Sequence, residues 1–213
     1  MGKKVILMLF CASVLISGCK RGSFSISGTI DGAGDGEYLL LKEVKPGILE
    51  PVDSVVPGKD GRFSFRSETG WPAFFMLSMD DDDFLTMLIA PGEKIEVKAA
   101  RNSMARPSSV TGSEGTSVIL GFRKDQDEVV AGLKKLTDTY NDSIDSPRRP
   151  LLMDSLDRRA ADIVAGFRAR ALTLLNENRS SMIPVYLLNQ HVVPGLELFE
   201  PAKNPELFYS VDS

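Results

Sequence analysis

The sequence predicts an α+β fold in which an N-terminal antiparallel β-sandwich or barrel-like domain is followed by an α-helical hairpin. Between residues 24 and 112, short segments of alternating apolar and polar residues recur at roughly ten-residue spacing with turn residues between them. After Gly112 the apolar residues are instead spaced three and four apart, which is typical of amphipathic helices. The chain has 213 residues, 43% of them hydrophobic, which is enough to build a core.

The first 18 residues predict a secretory signal peptide. Lys3 and Lys4 precede an apolar run over 5–16 that is too short for a stable membrane span. The end of this run, Ile16-Ser17-Gly18-Cys19, resembles the lipobox of bacterial lipoproteins, in which the chain is cut before the cysteine. That resemblance implies cleavage between Gly18 and Cys19, with acylation of the Cys19 thiol and of the new amine. Two or more acyl chains anchor a protein stably, so we expect attachment to a membrane rather than passage through it.

An ordinary signal peptide with an incidental cysteine is the alternative, and it explains the Ser-Gly-Cys run less well. The residues after Cys19 bear on the direction in which the protein faces. Surface-exposed relatives carry acidic residues there, whereas this chain has Lys20 and Arg21. We therefore expect a lipoprotein that faces the periplasm, although the sequence does not distinguish the inner from the outer membrane.

Charge and cysteine content exclude two classes of function. Loss of Lys3 and Lys4 leaves 23 basic residues of the original 25 against 29 acidic ones, a formal charge of −6 for the mature chain. An acidic chain lacks the basic face that nucleic acid requires. The chain has two cysteines, of which Cys11 is removed with the signal and Cys19 has no free thiol once acylated. No disulfide and no Cys-x-x-Cys redox pair can therefore form within the mature chain.

The β segment begins with a residue alternation typical of a half-buried strand. Phe24, Ile26, Gly28 and Ile30 alternate with small hydroxyl residues. Further strands are predicted over 38–44, 49–56, 62–66, 72–79, 84–89 and 94–99, with a short one around Val110. Turn sequences separate almost every pair, namely Asp31 to Gly36, Pro46-Gly47, Pro57-Gly58, Asp60-Gly61 and Pro91-Gly92.

Two long amphipathic helices are predicted next. The first has a seam formed by Ile119, Phe122, Gln126, Val129, Leu133, Leu136 and Tyr140, in which Gln126 is the one polar break. A loop is predicted over 141–150, which contains two prolines. The second helix has a seam formed by Leu152, Leu156, Ala160, Ile163, Phe167, Ala171 and Leu174. Because the loop is short, we expect the helices to be antiparallel neighbours.

A third helix is predicted over 182–191, with Ser181 as its N-cap and Pro194 stopping it. Asn204-Pro205-Glu206 then has the features of a helix start, although few residues follow it. We therefore expect the helical segment, residues 113–213, to be truncated before a further domain.

Several motifs together resemble domain-of-unknown-function family 4369. They are Phe24-x-Ile26-x-Gly28-x-Ile30, Asp53-Ser54, Gly61-x-Phe63-x-Phe65, Ala90-Pro91-Gly92 with Ile95-x-Val97, and Val110-x-Gly112-Ser113. In relatives this domain is the N-terminal part of exported thiol:disulfide interchange lipoproteins of the TlpA/ResA type in Gram-negative bacteria, and a thioredoxin-like domain follows it. The resemblance implies such a domain as a partner in cis. This chain carries no Cys-x-x-Cys, so no catalytic residue of the family has a counterpart, and we expect neither enzymatic activity nor a cofactor.

Four local features remain as candidate sites. His191 is the only histidine, and near a helix end it is expected to satisfy carbonyl groups rather than to catalyse. Asp80 to Asp83 are expected at a water-exposed hairpin tip, with a calcium site as the alternative. Trp71 and Phe74-Phe75 are expected in the core, with a ligand platform as the alternative.

The fourth feature is a recurring Asp-Ser-aliphatic triplet that resembles the O-glycosylation acceptor of some gut bacteria. Turn and capping chemistry explains most such triplets, and only Ser143 in the predicted loop is retained as a candidate acceptor. Two functions remain open at this point. One is a noncatalytic accessory domain that positions a redox domain at the membrane, and the other is a lipoprotein that binds a small ligand or a glycan.

Overall fold

The computed structural model describes residues 22–80, 82–143 and 149–209. The signal peptide and the lipidation site, Gly18 and Cys19, lie outside the described residues. The strands are β1 (Gly22–Asp31), β2 (Leu39–Lys45), β3 (Ile48–Val55), β4 (Arg62–Thr69), β5 (Ala73–Ser78), β6 (Phe84–Ile89), β7 (Lys94–Ala100), β8 (Ser109–Thr111), β9 (His191–Val193) and β10 (Leu196–Glu197). The helices are α1 (Glu114–Asp142), α2 (Arg149–Glu177), α3 (Ile183–Leu188) and α4 (Pro205–Tyr209).

The first eight strands form two four-stranded sheets that pack as an open sandwich. The strand order is β4-β1-β7-β8 in the first sheet and β3-β2-β5-β6 in the second. The apolar residues of each alternating strand face inward, because only that register removes them from water. Phe24 of β1 lies 4.9 Å from Phe75 of β5, measured between ring centroids, and so joins the two sheets through the core. The predicted α+β class with a sandwich is confirmed, and neither sheet closes into a barrel.

The sequence predicted wholly antiparallel sheets, and this prediction is wrong for one pair of strands. β1 and β7 run parallel, with Ser25 opposite Lys94 and Asp31 opposite Ala100. The turn at Pro91-Gly92 carries the chain from the second sheet into the first at the end where β1 begins, and the Ser25 amide donates to the Glu93 carbonyl there (3.0 Å). Alternation shows which face of a strand is buried but carries no information about the direction of its neighbour.

α1 and α2 form the predicted antiparallel hairpin. Phe122 stacks on Phe167 at 5.3 Å between ring centroids, and both side chains are buried. Near the far end of the hairpin, the guanidinium of Arg149 lies 4.8 Å above the Tyr140 ring. The helices extend further into the predicted loop than expected. Pro150 lies in the first turn of α2, where a missing N–H removes no helical hydrogen bond.

The C-terminal part differs most from the prediction. α3 ends at Leu188, and its N-cap is Met182, although Ser181 Oγ still accepts from the Ile183 amide (3.2 Å). Of the residues expected to complete this helix, Asn189 and Gln190 lie outside any helix or strand, and His191 begins β9, which pairs with β10 across a Pro194-Gly195 turn. Gly195 has a φ of 81°, which glycine adopts without strain, so a hairpin forms here in place of helix. α4 begins where Asn204-Pro205-Glu206 predicted.

The helices cover part of the outer face of the second sheet, where they form a second apolar core. Leu88 of β6 is buried in this core, together with residues of α1, α2, α3 and the C-terminal hairpin. The sandwich and the helical layer therefore share buried side chains. Within the described ranges, no helix combines the length and apolarity that crossing a membrane requires.

Candidate functional site

Among the described residues, a large apolar concavity lies on the part of the second sheet that the helices leave uncovered. It has a volume of about 550 Å³ and lies between the outer face of this sheet and α3. Strands β2, β3, β5 and β6 form its floor and α3 forms one wall. Its lining residues are mostly apolar: Val44, Leu49, Phe74, Met76, Phe84, Thr86, Val185, Tyr186, Asn189 and Gln190. We call this the apolar groove.

Strand alternation explains why these residues reach the groove. Phe74 and Met76 lie on the outer face of β5, whereas Phe75 between them points into the sandwich core and is 1% exposed. The pair Phe74-Phe75 is therefore divided between two faces and forms no joint platform. Trp71 is in neither place, because it precedes β5 and is 72% exposed. The expected core position is confirmed for Phe75 and is wrong for Trp71.

Tyr186 forms the wall where α3 meets the groove. Its ring lies 6.2 Å from that of Phe74 and 5.9 Å from that of Phe122, which it meets edge-on. Burial raises the pKa of the Tyr186 hydroxyl, so this group remains neutral at physiological pH. With Thr86, Asn189 and Gln190 as the polar residues of its lining, the groove offers apolar contact and a few neutral hydrogen-bonding groups.

The junction between the sandwich and α1 is built from buried hydrogen bonds. The hydroxyl groups of Ser113 and Thr116 both donate to the Leu88 carbonyl, at 2.8 and 3.2 Å. Ser113 is also the N-cap of α1, because its hydroxyl accepts from the Thr116 amide. Ser113 is 3% exposed and Thr116 is fully buried, so the start of α1 is fastened directly to β6.

Two further contacts hold α1 to segments remote in sequence. Arg106, which precedes β8, forms a bidentate ion pair with Asp127 of α1, each hydrogen bond being 2.7 Å. This pairing lowers the pKa of the Asp127 carboxyl group. Gln126 Nε2 donates to the backbone carbonyl of His191 at 2.6 Å, so the polar break in the α1 seam connects α1 to β9.

His191 lies in β9 opposite Glu197 and is exposed, so the prediction of a helix-terminal histidine is wrong. Its backbone, rather than its imidazole, makes the contact described above. In the part of the chain that the structure describes, the exposed ring forms no hydrogen bond or ion pair with a side chain that could act as a catalytic acid or nucleophile. Its position gives no support to a Ser-His pair.

The predicted acidic hairpin tip lies between β5 and β6. The Asp80 carboxylate accepts from the Asp82 and Asp83 amides, at 3.1 and 2.8 Å. The Asp83 carboxylate accepts from the amides of Met104 and Ala105, at 2.7 and 2.8 Å. These carboxylates therefore organise loops, and Asp81 lies outside the described residues. No group of three or more potential metal ligands occurs in the part of the chain that the structure describes.

Ser143, the candidate glycosylation acceptor, caps the C-terminus of α1. Its hydroxyl donates to the Tyr140 carbonyl at 2.8 Å, and its side chain is partly buried. This is capping chemistry, the alternative reading of the Asp-Ser-aliphatic triplet.

Sequence reasoning missed the groove and the contacts that fasten α1. Gln126 was the one available signal, since a polar residue in an apolar seam indicates a specific partner. The groove could not be predicted from the sequence, because its floor and its wall come from segments about one hundred residues apart. Only the tertiary structure brings these segments together.

Comparison with known families supports the resemblance deduced from the motifs. Residues 24–117 match the family described as Domain of unknown function (DUF4369). This segment comprises the sandwich and the first turn of α1. Neither the curated proteins nor the solved structures yielded a match to the chain.

Proposed function

We propose that this chain is a lipid-anchored, periplasm-facing positioning module that has no catalytic activity of its own. The observation that carries this proposal is the junction between the sandwich and α1. The buried hydroxyl groups of Ser113 and Thr116 hold the helix start on the Leu88 carbonyl, so the two parts move together. A domain attached beyond the helices would then be held at a defined place relative to the anchor.

The helical hairpin supplies a stiff support rather than added reach, because α2 runs antiparallel to α1 and returns the chain to the sandwich. α1 and α2 each contain 29 residues, which corresponds to about 43 Å at 1.5 Å per residue. The Phe122–Phe167 stack and the second core stiffen the hairpin where it lies on the sandwich. The family resemblance suggests a thioredoxin-like domain in cis as the domain that this support would position.

Lipidation is tested by Cys19→Ala, which should abolish signal processing and acylation because the thiol is the acylation point. Cys11→Ala is the matched control, since Cys11 lies in the removed signal and should have no effect. Intact-mass analysis of protein extracted from membranes should show a diacylated or triacylated Cys19. Unmodified mature protein in the soluble fraction would refute the anchor.

The orientation is tested by protease treatment of intact cells. A protein that faces the periplasm should survive until the outer membrane is permeabilised. Its removal from intact cells would contradict the proposed orientation, without bearing on acylation itself.

The absence of catalysis is tested with residues 20–213 in an insulin-reduction assay containing dithiothreitol. The rate should equal that of buffer, because no thiolate nucleophile is present. A form extended by a downstream thioredoxin-like domain, where the gene encodes one, should be active. A measurable rate from residues 20–213 alone would refute the proposal.

The apolar groove favours a second candidate, a lipoprotein that binds a small apolar ligand. A glycan would require more polar contacts than the four neutral polar side chains of the lining provide, those of Thr86, Tyr186, Asn189 and Gln190. Met76→Glu would place a charge on the groove floor and should abolish binding of a fluorescent fatty acid. Val56→Glu, at an exposed position away from the groove, is the control.

A further inference from the structure

Trp71 is the only tryptophan in the chain and the most exposed aromatic side chain among the described residues outside strands and helices. It lies in the short connection between β4 and β5, with 72% of its surface exposed. Its backbone carbonyl accepts from the Thr69 hydroxyl at 2.6 Å, so the connection is held in place. The main chain at Trp71 is therefore held in place, and the indole extends from it into the surroundings.

The position of Trp71 coincides with the end of the sandwich from which the tether leaves. Thr69 pairs with Gly22, the first residue of β1, and Trp71 follows Thr69 by two residues. Two residues, Lys20 and Arg21, separate Gly22 from Cys19, and three fully extended Cα-to-Cα steps span at most about 11 Å. If Cys19 carries acyl chains, this end of the sandwich is held next to the lipid surface. We call it the tether end.

A second exposed apolar side chain lies at the tether end. β2 runs antiparallel to β5 with Glu43 opposite Phe75, so β2 finishes beside the start of β5. The hairpin that follows β2 carries Ile48, which is 60% exposed. Trp71 and Ile48 thus lie at the same end of the second sheet.

Charge does not distinguish the two ends of the sandwich. At the tether end, Arg66 and Lys94 flank Ser25, with Glu68 and Glu93 nearby. The β2–β3 hairpin adds Lys45 with Glu43 and Glu50, and Glu114 and Glu177 line a hollow together with Pro72. The opposite end carries the acidic tip between β5 and β6, and the turn between β1 and β2, whose Glu37 pairs with Arg101.

We propose that the tether end lies against the phospholipid surface, with the Trp71 indole in the headgroup region. Indole suits this region because its ring is apolar while its N–H needs a hydrogen-bond acceptor. Ile48 adds apolar area at the same level. Because acidic side chains accompany the basic ones at this end, apolar contact is the main attraction between it and the bilayer. This inference rests on the proposed acylation of Cys19.

Trp71 is itself the probe for the test, since no other tryptophan contributes fluorescence. The full lipidated protein is extracted from membranes, checked for acylation by intact mass, and reconstituted in vesicles of phosphatidylethanolamine and phosphatidylglycerol. The reference is residues 20–213 in detergent-free solution. Relative to it, the emission maximum of Trp71 in the vesicles should shift to the blue, and acrylamide should quench the indole less. Vesicles with brominated acyl chains should quench it.

The matched control moves the single tryptophan to the opposite end. Tyr38, which precedes β2 beside the acidic turn, is 60% exposed. The double variant Trp71→Phe with Tyr38→Trp should keep the emission of a water-exposed indole, and brominated lipids should leave it unquenched. Equal quenching at both positions would overturn the proposed orientation.

The remaining outcomes separate this inference from the proposed function. Acylated protein whose Trp71 is unaffected by brominated lipids refutes the inference and leaves the anchor intact. Protection from acrylamide without bromine quenching indicates a protein contact, such as a second copy, and also refutes it. Protein without acyl chains on Cys19 refutes the proposed anchor, and the inference falls with it.

Discussion

Close docking of α1 on β6 predicts a specific penalty for Gly115→Ala. A Cβ atom at Gly115 would lie 2.9 Å from both Cγ and Cδ2 of Leu88, nearer than real Cβ atoms approach. Leu88 is 4% exposed and packed in the second core, so it cannot move into solvent. Overpacking of this kind costs about 1–3 kcal/mol in unfolding free energy.

Gly121→Ala in the same helix is the matched control. A Cβ atom there meets nothing within 4 Å, and the residue is exposed. Replacing an exposed helical glycine by alanine stabilises by up to about 1 kcal/mol. We therefore expect Gly115→Ala to be less stable than Gly121→Ala by about 1–3 kcal/mol.

The assay is urea unfolding of residues 20–213, with unfolding free energies taken by linear extrapolation. Adding Leu88→Ala should remove the penalty of Gly115→Ala, because the clashing atoms are deleted, and a double-mutant cycle measures this coupling. If Gly115→Ala gains as much stability as Gly121→Ala, α1 is not closely docked on β6. The rigid junction that supports the proposed positioning function would then be refuted.

Three further predictions concern the contacts of α1. Phe122→Ala should lower the unfolding free energy by about 3–5 kcal/mol, because a buried aromatic stack is lost. A decrease below about 1 kcal/mol in urea unfolding would contradict the packing of Phe122 on Phe167. Asp127→Asn should cost about 0.2–1 kcal/mol at neutral pH, since its pair with Arg106 is largely exposed. Because pairing lowers the Asp127 pKa, the pair stabilises the fold fully above the ordinary carboxyl pKa, and this stabilisation disappears as the pH falls through the folded-state pKa. If the unfolding free energies of Asp127→Asn and the wild type still differ in stronger acid, the result contradicts the pair. Gln126→Ala should lower the unfolding free energy by about 0.5–1.5 kcal/mol and speed amide hydrogen exchange in β9. Unchanged exchange in β9 would show that the hydrogen bond does not hold this strand.

The sequence by itself determined the local elements and their order. Strand β6 has the bounds that its apolar run predicted, and α1 begins after the Ser113 cap. These features depend on residues that are close in the chain: alternation marks a half-buried strand, and three–four spacing marks a helical face. The Asn204-Pro205-Glu206 start of α4 belongs to the same class, because cap and first-turn chemistry acts within four residues.

Tertiary structure alone decided which elements became neighbours. The parallel pairing of β1 with β7, the place of Gln126 against His191 and the exposure of Trp71 each depend on segments far apart in the chain. His191 shows the limit most clearly. Its neighbours read as a helix end, yet Pro194-Gly195 favours a hairpin that α1 then holds through Gln126. Residue periodicity specifies the face that a segment buries, but the partner that covers that face is selected by packing of the whole chain.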